Sequence, residues 1–269
     1  MRPSANRTLG NVLIIAAAVM LLVFINAMAR RSRTAPEALS AGQQGTAIRH
    51  VDTQEDVYPL LRGMGVRGMR LVHLNRRFNL LEYALPPETT RSRPFPIEPF
   101  DIRQVMEAGL NSDNWLFIAT RTGMIRQVTW VLPDPVYENV APLFARDVRY
   151  SLEDGLVRGY SYDLYRVVSR LERLPRNAEP LIVTVDAAFF GPGVLPNKVL
   201  DVLQDRLPHI AILVAVDSAD EPDVTEEMRQ ALREFLEDFR LNSGAGEVGQ
   251  VGSEVRDETE EFARLRTNF

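Results

Sequence analysis

The chain has 269 residues and a net charge of −5, and 45% of its residues are hydrophobic. This composition suits one globular domain of roughly 170 to 200 residues with accessory segments, and it argues against nucleic-acid binding, which needs a basic face to neutralise phosphates. The chain contains no cysteine, so disulfides and thiolate chemistry are excluded.

An apolar segment at residues 11–29 predicts a membrane anchor after a tail of residues 1–10. Residues 11–28 read NVLIIAAAVMLLVFINAM and carry no charge. At about 1.5 Å per residue, such a helix approaches the roughly 30 Å thickness of the hydrocarbon core of a bilayer. A buried helix is one alternative. A cleaved signal peptide is another, because Ala27-Met28-Ala29 fits a cleavage site, but two arginines would follow the cut directly, which favours an uncleaved signal-anchor.

Basic residues lie on both sides of the predicted span. Arg2 and Arg7 precede it, and three arginines at positions 30, 31 and 33 follow it. The positive-inside rule therefore gives almost no preference for either orientation. A short N-terminal tail is usually retained in the cytoplasm by its own charges. The sequence therefore predicts a single-pass protein of a bacterial inner membrane with its domain outside the cytoplasm, and residues 30–47 are predicted to be a linker.

The region from 48 to 241 alternates helix-like and strand-like segments and is predicted to be the globular domain. Strands are predicted at 69–75, 127–133, 180–187 and 210–217. Helices are predicted at about 54–62, 112–123, 162–173, 196–206 and 224–240. A hairpin turn is predicted at Asp154-Gly155, and a long Pro-rich loop at 86–99. Residues 242–269 are Gly-rich and acidic, and they predict a largely disordered tail with a fraying helix near 254–265.

Apolar strands separated by helices predict an α/β fold, a three-layer structure in which a mostly parallel sheet carries helices on both faces. In such sheets, ligands bind at the carboxyl ends of the strands. We therefore expect residues 75–79, 133–134, 186–190 and Asp217 on one rim.

Three segments in succession carry a family resemblance. LVHLNRRFN at 71–79, SDNWLFIATRTGMIRQVTWVLP at 112–133 and EPLIVTVDAAFFGPG at 179–193 resemble the arginase/deacetylase superfamily, in particular its arginase-like branch. The resemblance covers about residues 69–217 in order and spacing. In that family one strand ends in Asp-x-His-x-Asp and a later one in Ser-x-Asp-x-Asp-x-Phe, and together they hold one or two metal ions that activate water.

The metal-binding positions implied by the resemblance are mostly replaced in this chain. The first motif falls on Asn75, Arg77 and Asn79. The second falls on Thr184, Asp186, Ala188 and Phe190. One carboxylate remains, and a divalent cation needs several anionic or imidazole ligands. The resemblance therefore implies a former metal site, with no metal and no cofactor.

An ordinary α/β sheet is the alternative interpretation. In that case Asn75 and Asn79 cap a strand end, and Arg77 pairs with Asp186. Apart from this choice, His73 in its apolar strand is predicted to be a core histidine and His209 a structural residue.

Three carboxylates are candidates for residual catalysis: Asp186, Asp217 and Asp113. Asp186 and Asp217 follow neighbouring apolar strands, where a raised pKa would allow acid/base chemistry. Asp113 and Asn114 stand at a helix start, where such residues cap more often than they bind substrate. The predicted pocket consists of His73, Asn75, Arg77, Asn79, Asn114, Asp186, Ala188 and Phe190.

Two functions from different classes follow. The first is a membrane-anchored, catalytically inactive arginase/deacetylase-like domain that binds a protein partner or acts as a scaffold. The second is a membrane-anchored hydrolase of amides or amidines with a site rebuilt around Asp186. A third option is a structural subunit in which the membrane span is the functional part and the domain only orients neighbouring proteins.

Overall fold

The computed structural model describes residues 45–77, 109–112, 114–144, 146, 149–161, 164–243 and 249–250. The predicted anchor, the Pro-rich loop and the helix near 254–265 lie outside these residues, as do Asn79 and Asp113. Within the described part of the chain, no helix has the length and apolar character needed to cross a bilayer.

The described residues form nine strands and five α-helices. The strands are β1 (Ala47–Val51), β2 (Met69–Leu74), β3 (Ile125–Leu132), β4 (Tyr150–Glu153), β5 (Leu156–Ser161), β6 (Leu164–Arg170), β7 (Leu181–Asp186), β8 (Ile210–Val216) and β9 (Gly249–Gln250). The helices are α1 (Val57–Gly63), α2 (Trp115–Arg121), α3 (Asp134–Phe144), α4 (Pro196–Arg206) and α5 (Glu226–Ser243). Two short 3₁₀ helices, Leu171–Arg173 and Ala187–Phe190, follow β6 and β7.

All of these strands belong to one sheet, in the order β4-β5-β6-β3-β2-β7-β8-β1-β9. Pairing is parallel from β6 through to β9, while β4, β5 and β6 pair in antiparallel fashion at one edge. The predicted α/β class and the mostly parallel sheet are confirmed. The four apolar runs predicted as strands are β2, β3, β7 and β8, the centre of this sheet.

Helices pack on both faces of the sheet, as the strand register shows. Residues that stand side by side in adjacent strands share a face. Leu74, Val185 and Ala215 are in register, and they belong to the core cluster that α4 and α5 complete with Leu203 and Phe235. His73 points to the opposite face, where its ring meets Trp115 of α2 at 5.7 Å between centroids.

The predicted helix at 162–173 is wrong, because residues 164–170 form β6 and only 171–173 make a helical turn. The apolar residues of this segment recur at a helix-like spacing, with Val167 and Val168 adjacent. In the sheet β6 lies between β3 and β5, so both valines are buried, one on each face. A strand buried on both faces lacks the alternation that identifies a strand in sequence.

The predicted hairpin turn at Asp154-Gly155 is confirmed. Asp154 has φ 53° and Gly155 has φ 70°. Two consecutive positive φ values are what a two-residue type I′ turn requires, and Asp-Gly is one of its preferred sequences.

Candidate functional site

The chain changes direction across the sheet between β2 and β7. After β2 it continues to β3 on one side, and after β7 it continues to β8 on the other side. In open α/β sheets, ligands bind outside the carboxyl ends of the two strands at such a divergence. Because Leu74 pairs with Val185, the next residues along each strand, Asn75 and Asp186, lie side by side at this point.

Asp186 is fully buried, and both of its carboxylate oxygens are engaged. Its Oδ1 accepts the N–H of Ala188 at 2.7 Å and its Oδ2 accepts the side-chain amide of Gln54 at 2.8 Å. The Ser218 hydroxyl lies 2.8 Å from both oxygens. Burial raises the pKa of Asp186 to about 6, although these hydrogen bonds oppose the shift. The carboxylate therefore titrates close to neutral pH inside a closed ring of donors.

Glu221 is a second buried carboxylate beside the first. Its Oε1 lies 3.4 Å from the Gln54 amide nitrogen, which thus bridges it to Asp186. Burial, followed by the charge of Asp186, raises the pKa of Glu221 to about 7. We call Asp186, Glu221, Gln54 and Ser218 the carboxylate network.

Arg77 covers the carboxylate network from the solvent side. Its Nε lies 3.3 Å from Glu221 Oε2, its guanidinium also pairs with the exposed Asp223, and 43% of its side chain is exposed. The ion pair expected between Arg77 and Asp186 is thus replaced by pairs with Glu221 and Asp223. The guanidinium still acts on Asp186 at longer range, because its charge lowers the pKa of that carboxyl.

A row of neutral polar side chains continues inward from Asn75. Asn75 accepts the backbone N–H of Arg77 at 2.9 Å, and its amide lies 3.4 Å from Nε2 of His73. The other ring nitrogen of His73 lies 2.6 Å from the Thr184 hydroxyl. Burial lowers the pKa of His73 to about 3. His73 is therefore a neutral core side chain at pH 7.

The other predicted site residues are distributed around this point. Ala188 and Phe190 are buried in the 3₁₀ helix after β7, and Phe190 packs on α5 with its ring 5.9 Å from that of Phe235. Asn114 makes local hydrogen bonds with Asn111 and Gly109 ahead of α2. Ala188 and Phe190 thus belong to the apolar core, and these hydrogen bonds of Asn114 are local.

Asp217 and Asp186 make different contacts. Asp186 is in register with Val216, so the following residue, Asp217, points to the other face of the sheet. Its carboxylate lies 3.1 Å from Nε2 of His50. The carboxylate that lies beside Asp186 is therefore Glu221, bridged to it by Gln54, and not Asp217 as expected.

Three residues of the carboxylate network were missed in the sequence: Gln54, Ser218 and Glu221. Each follows an apolar strand within a short acidic segment, DTQED at 52–56 or DSADEPD at 217–223. Ser218 also adopts a left-handed backbone with φ 48°, a strained conformation that clusters at functional sites. The acidic segments were visible in sequence, but the strand β1 that brings Gln54 beside Asp186 was not predicted.

The side chains at the carboxyl ends of β2 and β7 do not fit the metal site that the family resemblance implies. The amide of Asn75 is hydrogen-bonded, the oxygens of Asp186 already accept several donors, and Arg77 adds a positive charge. A divalent cation needs free anionic or imidazole ligands converging at about 2 Å. The oxygens of Asp186 are instead satisfied by Ala188, Gln54 and Ser218, and Glu221 pairs with the Arg77 guanidinium.

A groove of about 230 Å³ opens further along the same edge of the sheet. Its walls are mostly apolar and Pro-rich, formed after β3 and β6 and by the turn before α4, and an ion pair between Glu172 and Lys198 stands at its rim.

Comparisons of the chain with protein-family models, with curated proteins and with solved structures find no match.

Proposed function

We propose that this chain is a membrane-anchored, non-catalytic domain of the arginase/deacetylase type that binds a protein partner. The observation that carries the proposal is the internal satisfaction of Asp186. The one carboxylate that remains of the two family motifs accepts hydrogen bonds from Ala188, Gln54 and Ser218, so it has little capacity left for a cation or a substrate.

The placement of the two motif positions supports the family assignment. Asn75 and Asp186 stand side by side at the point where the chain changes direction across the sheet. A pair of motifs that once shared a metal would need this adjacency.

The charge of the rim supports a basic partner. The loops after β1 and β8 carry the acidic residues Asp52, Glu55, Asp56, Asp217, Asp220, Glu221 and Asp223. Complementary charge across an interface steers association and selects partners. We therefore assign the docking surface to these two loops, here called the acidic rim, and a basic surface to the partner.

Site-specific crosslinking in native membranes tests this proposal. A photo-crosslinking residue replaces Asp220 on the acidic rim, and a matched one replaces the exposed Arg67 at the opposite edge of the sheet. We expect a discrete adduct from the rim position only, and Asp223→Lys should weaken it. Equal adducts from both positions, or an adduct that ignores the charge reversal, would contradict a docking surface on the rim.

A hydrolase is the second candidate, and the carboxylate network favours it. Asp186 and Glu221 titrate near neutral pH and share one amide, an arrangement suited to proton transfer. The full chain and its Asp186→Asn variant should be assayed on amide and amidine substrates, with and without Mn²⁺. The non-catalytic proposal requires equal background in both proteins. Turnover that disappears in Asp186→Asn would establish the hydrolase instead.

Restoring the family ligands tests the assignment to the arginase/deacetylase type. The quadruple variant Asn75→Asp, Arg77→His, Asn79→Asp and Ala188→Asp is made in a His50→Gln background, so that the imidazole of β1 cannot contribute. A thermal melt that shifts upward with Mn²⁺ in this variant, but not in His50→Gln alone, is the expected result. No shift would mean that these positions do not share a pocket.

A further inference from the structure

Three potential metal ligands lie together where β1 and β8 end, on the sheet face opposite Asp186. They are His50, Asp52 and Asp217, and their ligating atoms all lie within 4.8 Å of one another. We propose that these three side chains bind one divalent first-row cation, with Zn²⁺ and Mn²⁺ as the cations that the donor set suits. This site is separate from the carboxylate network. It shares Asp52 and Asp217 with the acidic rim, but no step of its argument uses the proposed partner.

The parallel pairing of β1 with β8 produces this grouping. His50 is in register with Ala215 and Val51 with Val216, so Asp52 and Asp217 are the next residues along each strand. His50 and Asp52 are two residues apart and share a face. Two backbone hydrogen bonds hold the strand ends together, from Asp217 N–H to Val51 at 3.1 Å and from Ala219 N–H to Asp52 at 2.9 Å.

The distances suit a metal after small side-chain rotations. Zn²⁺ binds imidazole nitrogen and carboxylate oxygen at about 2.0 to 2.2 Å, so neighbouring ligands lie roughly 3 to 3.5 Å apart. Nε2 of His50 and Oδ1 of Asp217 are already 3.1 Å apart. The exposed side chain of Asp52 leaves one side of the site open, where water can enter and complete the coordination.

The donor set selects the class of cation. One imidazole nitrogen and two carboxylates suit Zn²⁺ or Mn²⁺ better than Ca²⁺, which prefers six to eight oxygen ligands.

The surrounding charge favours a cation. Burial raises the pKa of the neighbouring Glu55, and the charges of Asp220 and Asp56 raise it further, which indicates a surplus of negative charge in these loops. Two arginines of α5 lie nearby: Arg229 Nε donates to the backbone carbonyl of Asp217 at 3.4 Å, and the charge of Arg240 reaches His50. The carboxylates of the two loops outnumber these two arginines.

A cation here would also fix the loop that carries Ser218 and Glu221. Ser218 directly follows Asp217, and Glu221 N–H donates to the Ser218 carbonyl at 3.1 Å. Binding at one face of the sheet would therefore restrain two members of the carboxylate network on the other face.

Calorimetric titration of the full chain in detergent, after chelator treatment and dialysis, tests the site with Zn²⁺ and with Mn²⁺. We expect one cation per chain. Asp52→Asn and His50→Gln should each weaken binding by at least about tenfold, since even loss of a supporting partner of a metal ligand costs 10- to 100-fold. Asp220→Asn removes the same charge from the neighbouring loop after β8 and should change the affinity by less than about twofold.

The control separates a built site from general attraction to negative charge. Absence of saturable binding in the wild type, or equal weakening by Asp220→Asn and Asp52→Asn, would overturn the proposal. Asp52 is exposed, so its variant should fold even if His50→Gln does not. Asp186→Asn should keep its cation, and loss of the cation in that variant alone would place the metal in the carboxylate network and overturn the assignment to His50.

Discussion

Arg77 and Glu221 form an ion pair between a half-exposed and a buried side chain. The side chain of Glu221 is 4% exposed and that of Arg77 is 43% exposed. Exposed pairs contribute about 0 to 1 kcal/mol, whereas breaking a buried pair costs about 3 to 5 kcal/mol because one charge is stranded. The contribution of the Arg77–Glu221 pair to stability should lie between these limits.

We predict that Arg77→Met lowers the free energy of unfolding by about 1 to 2 kcal/mol at pH 8. The loss arises because Glu221 keeps its charge without a cation beside it. Arg76→Met, at the adjacent exposed arginine, is the matched control and should cost less than about 0.5 kcal/mol. Thermal melts of the full chain in detergent give the measurement. A double variant with Glu221→Gln should cost less than the sum of the two changes, and simple additivity would show that the pair is not coupled.

The raised pKa values of Asp186 and Glu221 predict how stability depends on pH. Each carboxyl holds its proton to higher pH in the folded chain than in the unfolded chain: from 3.8 to about 6 for Asp186, and from 4.5 to about 7 for Glu221. Because the native state binds more protons in this window, the free energy of unfolding falls as pH rises from about 4 to 7. Ionising a buried carboxyl is what costs the stability.

Glu221→Gln should therefore flatten the fall in stability across that window. The test compares denaturant unfolding of the wild type and the variant in steps from pH 4.5 to 7.5. Asp223→Asn removes the exposed carboxylate from the same guanidinium and serves as the control. An unchanged slope in Glu221→Gln would show that Glu221 is not the titrating group.

At the scale of elements, α5 carries the packing that holds the carboxyl edge of the sheet on one face. Phe235 is fully buried, and its ring meets those of Phe190 and Phe239 at 5.9 Å. Phe190 belongs to the turn directly after Asp186. The helix thus supports the backbone from which Ala188 donates to that carboxylate.

Removing the Phe235 ring should destabilise the domain strongly. We predict that Phe235→Ala lowers the free energy of unfolding by about 3 to 5 kcal/mol, through lost burial and the cavity left behind. Glu237→Ala changes an exposed position of the same helix and should stay within about 0.5 kcal/mol. Thermal melts of both variants distinguish core packing from an effect on helix propensity. A small loss in Phe235→Ala would contradict the packing of α5 described above.

The elements that could be predicted from sequence are those that one local sequence feature identifies. Long apolar runs identified the four central strands, and Asp154-Gly155 identified the hairpin because its turn demands two positive φ values. The apolar spacing of β6 predicts a helix instead of a strand, and no strand is predicted at β1, which is five residues long and contains the predicted domain boundary at residue 48. Gln54 could therefore not be predicted as a site residue, because it reaches Asp186 only when β1 pairs with β8. Pairing over that distance in the chain leaves no local signal.

At the scale of the whole molecule, we predict that residues 11–29 anchor the chain in a membrane. Residues 11–29 are apolar and long enough to span a bilayer. We expect the full chain to remain in the membrane fraction after an alkaline carbonate wash. A chain lacking residues 1–33 should appear in the aqueous fraction, and recovery of the intact full-length chain there would refute the anchor.

The last prediction concerns the side of the membrane on which the domain lies. Two arginines precede the predicted span and three follow it closely, so charge alone hardly decides the orientation. We expect the short N-terminal tail to stay in the cytoplasm and the domain to lie outside, because a short charged tail is not readily translocated. Protease added to intact spheroplasts should then degrade the domain while a cytoplasmic marker protein survives. If the domain is cleaved only after the membrane is opened with detergent, the orientation is the reverse, and a partner of the acidic rim must be sought in the cytoplasm.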